Sequence, residues 1–343
     1  MSDDPPVVRC TERRTMVGEP MAEADMTWDR FQGLVLAGGG RDAAVADARA
    51  LRACGADAAY RVAALALYVA IVAPEPLVDI YDGLCEGWLG AAPVGPTVSA
   101  PPVRGAVSDE LWEGLRGLVF DPDAGRDPAD ITVRTAALTE HLSPEFHDRV
   151  AAMALRYPGV AEAAAGVPPR FMLDDLARCP RDSLGGSVHS LVVDNGFDLE
   201  VLDRDSLGLT DLPFPLDYLN VRILQCHDVW HLVADHKTSG LHEVSVSGFQ
   251  MAQFGHQYSS MFLGMVLAKM AFTQPDAVAF TLDTILTGYR HGRETPPLVG
   301  VDWPTLWDRP IPEIRELLGV TPYDSPYPPW LLEELQGQQP RSA

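Results

Sequence analysis

One stretch constrains the chain more than any other: residues 218–233, Tyr218-Leu-Asn-Val-Arg-Ile-Leu-Gln-Cys-His-Asp-Val-Trp-His-Leu-Val233, an apolar segment carrying two histidines and an aspartate. Val221, Ile223, Leu224, Val229, Trp230 and Val233 leave a helix here with no polar face, so it has to be buried. At roughly 100° per residue, His227, Asp228 and His231 point into one arc of about a quarter-turn. An ionised, unpaired Asp228 in such a place costs several kcal/mol, so a buried cation, a hydrogen-bonded histidinium or a metal must compensate it. Asp217 is the expected cap of this helix.

Five of the nine histidines, His227, His231, His236, His242 and His256, fall in one 30-residue window. Histidines at i and i+4 can each offer a ring nitrogen to one ion, and a carboxylate lowers the net charge of the complex. After Lys237-Thr-Ser-Gly240 breaks the helix, a chain reversal would carry Glu243 back toward them, giving the pattern H-D-x-x-H-x11-E. The competing reading is a surface or hydrogen-bonded histidine pair, and His236, His242 and His256 are expected to be solvated or to stand behind the ligands. H-D-x-x-H is not H-E-x-x-H: Asp is too short to reach past a metal as a protease base, which disfavours a zincin-type peptidase. Zinc is the first choice of divalent metal, with iron or manganese compatible with the same ligand set.

The rest of the sequence reads as mainly helical. The apolar run 62–73 stops at Pro74 and is about 18 Å long as a helix, against roughly 30 Å of bilayer hydrocarbon, so it reads as a core helix and no transmembrane segment is expected. Ser143 and Pro144 open one helix, and Pro312 and Gly319 bracket another. Strand-like alternation is confined to Leu191-Val-Val and Val244-Ser-Val-Ser. A G-x-G-x-x-A match at Gly38, Gly40 and Ala43 lacks the following strand of a dinucleotide fold and reads as helix, turn, helix. The expected organisation is a disordered segment 1–24, a helical region 25–90, a Pro/Gly-rich linker 91–107, a helical domain 108–335 and a flexible tail 336–343.

Charge and cysteines narrow the function. With 26 Lys+Arg against 48 Asp+Glu, the net charge of −22 opposes nucleic-acid binding. Cys10, Cys54, Cys85, Cys179 and Cys226 form no C-x-x-C pair and read as free thiols of a cytoplasmic protein.

His227-Asp-Val-Trp-His231 with Glu243, Arg222 upstream, Asp182-Ser-Leu-Gly185, Asn195-Gly-Phe-Asp198 and Pro297-Leu-Val-Gly-Val-Asp-Trp303 together resemble the Coq-four family of ubiquinone (coenzyme Q) biosynthesis proteins. The similarity covers about 170–320 and is fainter over 108–169. It implies an all-α fold, an irregular helical bundle with a metal site between two consecutive helices. His227, Asp228, His231 and Glu243 would be both metal ligands and catalytic centre, beside an apolar cavity partly lined by 259–268. It also implies oxidative decarboxylation and hydroxylation of a ring carbon, a homodimer, and peripheral contact with membranes. Arg222 either anchors a substrate carboxylate or pairs with an acid of the fold. Gln225 stands where the family has an acid, His242 where it has glycine and Val188 where it has an aromatic, so a divergent member acting on another aromatic, quinone-like or polyketide-like compound is expected. The rival functions are a metal hydrolase and a non-catalytic lipid-binding or assembly protein.

Overall fold

The computed structural model describes residues 26–55, 57–124, 128–166, 168, 170–196, 199 and 212–335. Every regular element among them is helical. In chain order these are α1 (Trp28–Ala37), α2 (Arg41–Arg52), α3 (Ala58–Ile71), α4 (Leu77–Leu89), α5 (Asp109–Phe120), α6 (Pro128–Leu138), α7 (Pro144–Ala154), the short α8 (Val160–Ala163) and α9 (Leu173–Leu176), then α10 (Leu184–Asn195), α11 (Leu216–Ala234), α12 (Gly240–Phe254), α13 (Gln257–Thr273), α14 (Val278–Glu294), α15 (Ile311–Leu318) and α16 (Leu331–Leu335). No helix among the described residues is long and apolar enough to cross a membrane. The segments expected to be disordered, 1–24 and 336–343, lie outside the described residues.

Local chemistry explains most of the helix ends. Ser143 caps α7 by accepting from the Phe146 amide at 3.2 Å, with Pro144 at the first helical position. Gly319 closes α15 in the left-handed region at φ 68°. Gly38 and Gly40 separate α1 from α2, so the glycine-rich stretch is the turn between two helices. The two strand-like stretches, 191–193 and 244–247, lie inside α10 and α12, in line with the mainly helical reading. One expectation fails locally. Asp217 sits in the first turn of α11 while Pro215, after a cis peptide bond from Phe214, holds the capping position.

Packing begins with α3, where every residue from Val62 to Ile71 is buried. It lies against α1, α2 and, most extensively, α13. At that crossing a Cβ on Gly264 would come within 3.2 Å of the Leu67 backbone nitrogen, so the two helices approach more closely than a larger residue would permit. The α12–α14 crossing is tighter still: a Cβ on Gly288 would stand 2.1 Å from the Ser245 carbonyl oxygen. α4 docks on α14 through polar groups, since Arg293 Nε and Nη2 each bond the Asp82 carboxylate at 3.2 Å and the Tyr289 hydroxyl donates to it at 3.1 Å. Residues 92–108 form no helix and run beside the α3–α4 turn, where the Gly105 amide donates to the Val72 carbonyl at 3.1 Å. One apolar cluster extends from Trp28 to Val320.

Cys85, Cys179 and Cys226 are free thiols, but Cys54 is disulfide-bonded, which corrects the expectation of five free cysteines at that position. Pairing is set by proximity in the fold, which spacing along the chain does not report. Cys10 lies outside the described residues.

Candidate metal centre

Two consecutive helices build the centre. α11 stops where Asp235 turns left-handed at φ 64°, and α12 starts where Ser239 accepts from the His242 amide at 3.4 Å. The five residues between reverse the chain and return Glu243, in the first turn of α12, to the face of α11 that carries His227 and His231. The tight α12–α14 crossing lies immediately beyond and leaves α12 little freedom to slide.

The two imidazoles face one another across one helical turn, with Nε2 atoms 3.1 Å apart. Glu243 spans them, Oε2 at 3.2 Å from His227 Nε2 and Oε1 at 3.4 Å from His231 Nε2. One candidate donor atom from each of the three side chains lies within 4.8 Å of the others. For bonds of about 2.1 Å, a tetrahedral ion requires its ligand atoms to be about 3.4 Å apart, so this donor set fits a small divalent cation. His231 is sealed off, whereas the Glu243 side chain keeps 38% of its exposure, so one side of the group is open.

Asp228, the fourth expected ligand, lies outside that three-residue group. Its carboxyl is raised above its usual value by burial, with the nearby His227 and His231 pulling it back down. Burial opposes charge on His231, yet the facing Glu243 carboxylate prevails and holds its pKa up at about 9. Glu243 is held well below the usual carboxylate range: burial raises it, and the two histidines more than offset that.

The remaining histidines of the window are buried rather than solvated. The His236 carbonyl accepts from His231 Nδ1–H at 3.0 Å, which fixes that ring with Nε2 toward the centre. His236 stacks on Tyr323 and contacts His291 Nδ1 through Nε2 at 3.2 Å. Desolvation lowers the pKa of His236 well below the ordinary value, that of His242 to about 4 and that of His256 to about 3. Gln250 is the residue that the sequence reading missed, and its Nε2 lies 2.8 Å from His227 Nδ1. Its signal was available: it stands seven residues, two helical turns, after Glu243 and so shares that face of α12.

Arg222 is engaged by the backbone of a distant loop. Its guanidinium is buried and donates to backbone carbonyls, Nε to Val299 at 3.1 Å and Nη2 to Val301, clasping the 297–303 loop against α11. The Leu-Gly pair at 184–185 also has a structural role: both amides donate at 2.8 Å, to the Arg309 and Trp307 carbonyls, and a Cβ on Gly185 would collide with Cys179 Sγ at 2.6 Å. Residues 259–268 lie in α13, and Gly264 of that stretch packs against α3.

Comparison with known proteins covers this same half of the chain. Residues 169–324 match the sequence model of the coenzyme Q (ubiquinone) biosynthesis protein Coq4. The mitochondrial ubiquinone biosynthesis protein COQ4 homologues of Drosophila erecta and Drosophila melanogaster are each 28% identical over 147 residues, 43% of this chain and 53% of theirs. The COQ4 protein of the yeast Vanderwaltozyma polyspora is 25% identical over 150 residues, 44% of this chain and 42% of its own. The chain thus spans about half the length of the curated relatives it matches. A solved chain from Nostoc punctiforme, described as a candidate ubiquinone biosynthesis protein, aligns with 62% of this chain and 98% of its own length at 25% identity and a TM-score of 0.48. Over residues 169–324 this chain is therefore similar to the Coq4 family, at modest identity to its curated members.

Proposed function

We propose that the protein is a metal-dependent enzyme of quinone-type biosynthesis, holding one divalent cation on His227, His231 and Glu243 and acting on an apolar aromatic or quinone-like compound. The observation that carries the reading is the spacing of the three donors, 3.1, 3.2 and 3.4 Å, with one side open. Structural metal sites are closed by protein ligands, whereas catalytic ones keep a position for water or substrate. Asp228 is the fourth ligand of the proposal or the acid that balances its charge. Zinc, iron and manganese all suit the set.

A cation here would polarise ring oxygens and stabilise an electron-rich ring. The protein groups do the rest: His231 is oriented by the His236 carbonyl, Glu243 supplies the negative charge, and Asp228 stands one residue from the first histidine on the same turn. The reaction proposed, from the name and chemistry of the family, replaces a ring carboxylate by a hydroxyl, with carbon dioxide leaving and an external two-electron oxidant such as dioxygen consumed. The proposal includes a homodimer and a cytoplasmic location with peripheral membrane contact, the route by which an apolar substrate arrives; the curated relatives are described as mitochondrial.

The test is metal content of protein purified without chelator, followed by turnover of a prenylated hydroxybenzoate with carbon dioxide trapped. Bound metal at one equivalent and release of carbon dioxide support the reading. Glu243→Ala should lose both, by at least 10³-fold in affinity on an order-of-magnitude expectation, while remaining folded. Metal-free protein with full turnover would overturn it. If Glu243→Ala unfolds, the metal is a structural staple of an assembly protein instead.

A further inference from the structure

Behind His227 lies a row of buried polar groups that reaches away from the centre. Gln250 Nε2 is 2.8 Å from His227 Nδ1, Ser259 Oγ is 3.3 Å from Gln250 Oε1, and His256 Nδ1 is 2.8 Å from Ser259 Oγ. Gln250 is 3% exposed, Ser259 0% and His256 6%, so no solvent can replace a missing partner within the row.

The polarity of this row decides what His227 can do. The Gln250 amide donates to His227 Nδ1, Ser259 donates to Gln250 Oε1, and His256 Nδ1–H completes the row by donating to Ser259. A neutral His227 that accepts at Nδ1 carries its proton on Nε2. That hydrogen points at Glu243 Oε2, 3.2 Å away, and occupies the lone pair that a cation needs. His231 differs in that its Nδ1 is the donor to the His236 carbonyl, so any proton on its Nε2 can leave without a change of tautomer.

We propose that Gln250 is a positioning residue whose amide reverses when a cation loads, switching the tautomers of His227 and His256 together. In the reversed row His227 Nδ1–H donates to Gln250 Oε1, Gln250 Nε2–H donates to Ser259, and Ser259 donates to His256 Nδ1, whose proton now sits on Nε2. Each group keeps its own number of protons, so the wire gains and loses none. A leucine or alanine at 250 could support neither arrangement, and a carboxylate could support only one. The inference rests on the metal reading above and adds to it a link between the cation and a histidine that does not touch it.

The experiment uses the full chain labelled with ¹⁵N-histidine, zinc as the probe, calorimetry for affinity and ring-nitrogen chemical shifts for tautomers. Wild type should show His227 Nε2–H and His256 Nδ1–H without zinc, and both rings switched with zinc. Gln250→Leu should weaken zinc by about 10- to 100-fold, the usual effect of removing a group that orients a metal-bound histidine. Ser259→Ala, a milder change at a buried position, should keep zinc affinity within about threefold of wild type while His256 stops responding, on the same orienting argument. Zinc binding by wild type with an unchanged His256 overturns the reversal and leaves the metal reading standing. Wild type that takes up no zinc overturns both. Wild-type affinity in a folded Gln250→Leu removes Gln250 from its role.

Discussion

The α3–α13 pair and the α11–α12 pair both pack on apolar side chains, yet the second buries many more polar groups among them. The buried residues of α3 are apolar throughout, and α13 meets it at a glycine crossing. Between them α11 and α12 bury Arg222, Gln225, His231, His242, Gln250 and Gln253. Apolar packing stabilises without specifying chemistry, whereas buried polar groups are costly unless each is satisfied and then fix one arrangement. The first pair therefore holds the protein together and the second keeps its side chains aimed. The boundary between these tasks differs from the family boundary, since α3 lies outside residues 169–324 and packs on α13 within them.

Three measurements would sharpen or break that contrast. The largest effect is expected in the apolar pair: Leu67→Ala, at a fully buried site against Gly264, should cost about 2–5 kcal/mol in denaturant unfolding. Zinc affinity of the protein still folded should not move; a loss there would mean that the two regions are one cooperative device.

Next comes the response of the polar pair to pH. With the pKa of His231 held up at about 9, a proton occupies the ligand nitrogen at neutral pH and a cation must displace it. Zinc affinity should fall tenfold for each unit of pH below about 9, or about 1.4 kcal/mol per unit. A flat profile between pH 7 and 8.5 would remove His231 from the ligand set.

The smallest effect is acid destabilisation of the metal-free protein. His242 and His256 stay neutral in the fold, at pKa values of about 4 and about 3, while the unfolded chain takes up protons near the ordinary histidine value. Their contribution is therefore complete above about pH 6.5 and fades as the pH drops toward 4 and then 3. Each should cost ~1 kcal/mol between pH 6.5 and 5.5. His231, raised rather than lowered, is already protonated in the fold over that interval while the unfolded chain completes its uptake, so it offsets a fraction of the loss. A Tm constant down to pH 5 would show these rings to be solvated.

How much of this was legible in the sequence follows from the range of the interactions. The helix of 62–71, the Ser143 cap and the Gly319 stop are local, written in neighbouring residues, and the His227–His231–Glu243 meeting needed only helical periodicity and one reversal. The partners of Arg222 were out of reach because backbone carbonyls 77 and 79 residues away leave no pattern in side-chain identity. The Asp217 cap failed because the helix already begins at Leu216, which puts Asp217 inside its first turn. Gln250 was within reach, since its two-turn spacing from Glu243 puts it on the same face of α12.

The Arg222 clasp also bears on where a shortened version of this protein can end. Its two carbonyl partners come from 299 and 301, well after the last residue of the metal centre. A chain cut after α14 would keep every ligand and still strand a guanidinium among apolar side chains, so the minimal unit that carries the centre has to run past the 297–303 loop.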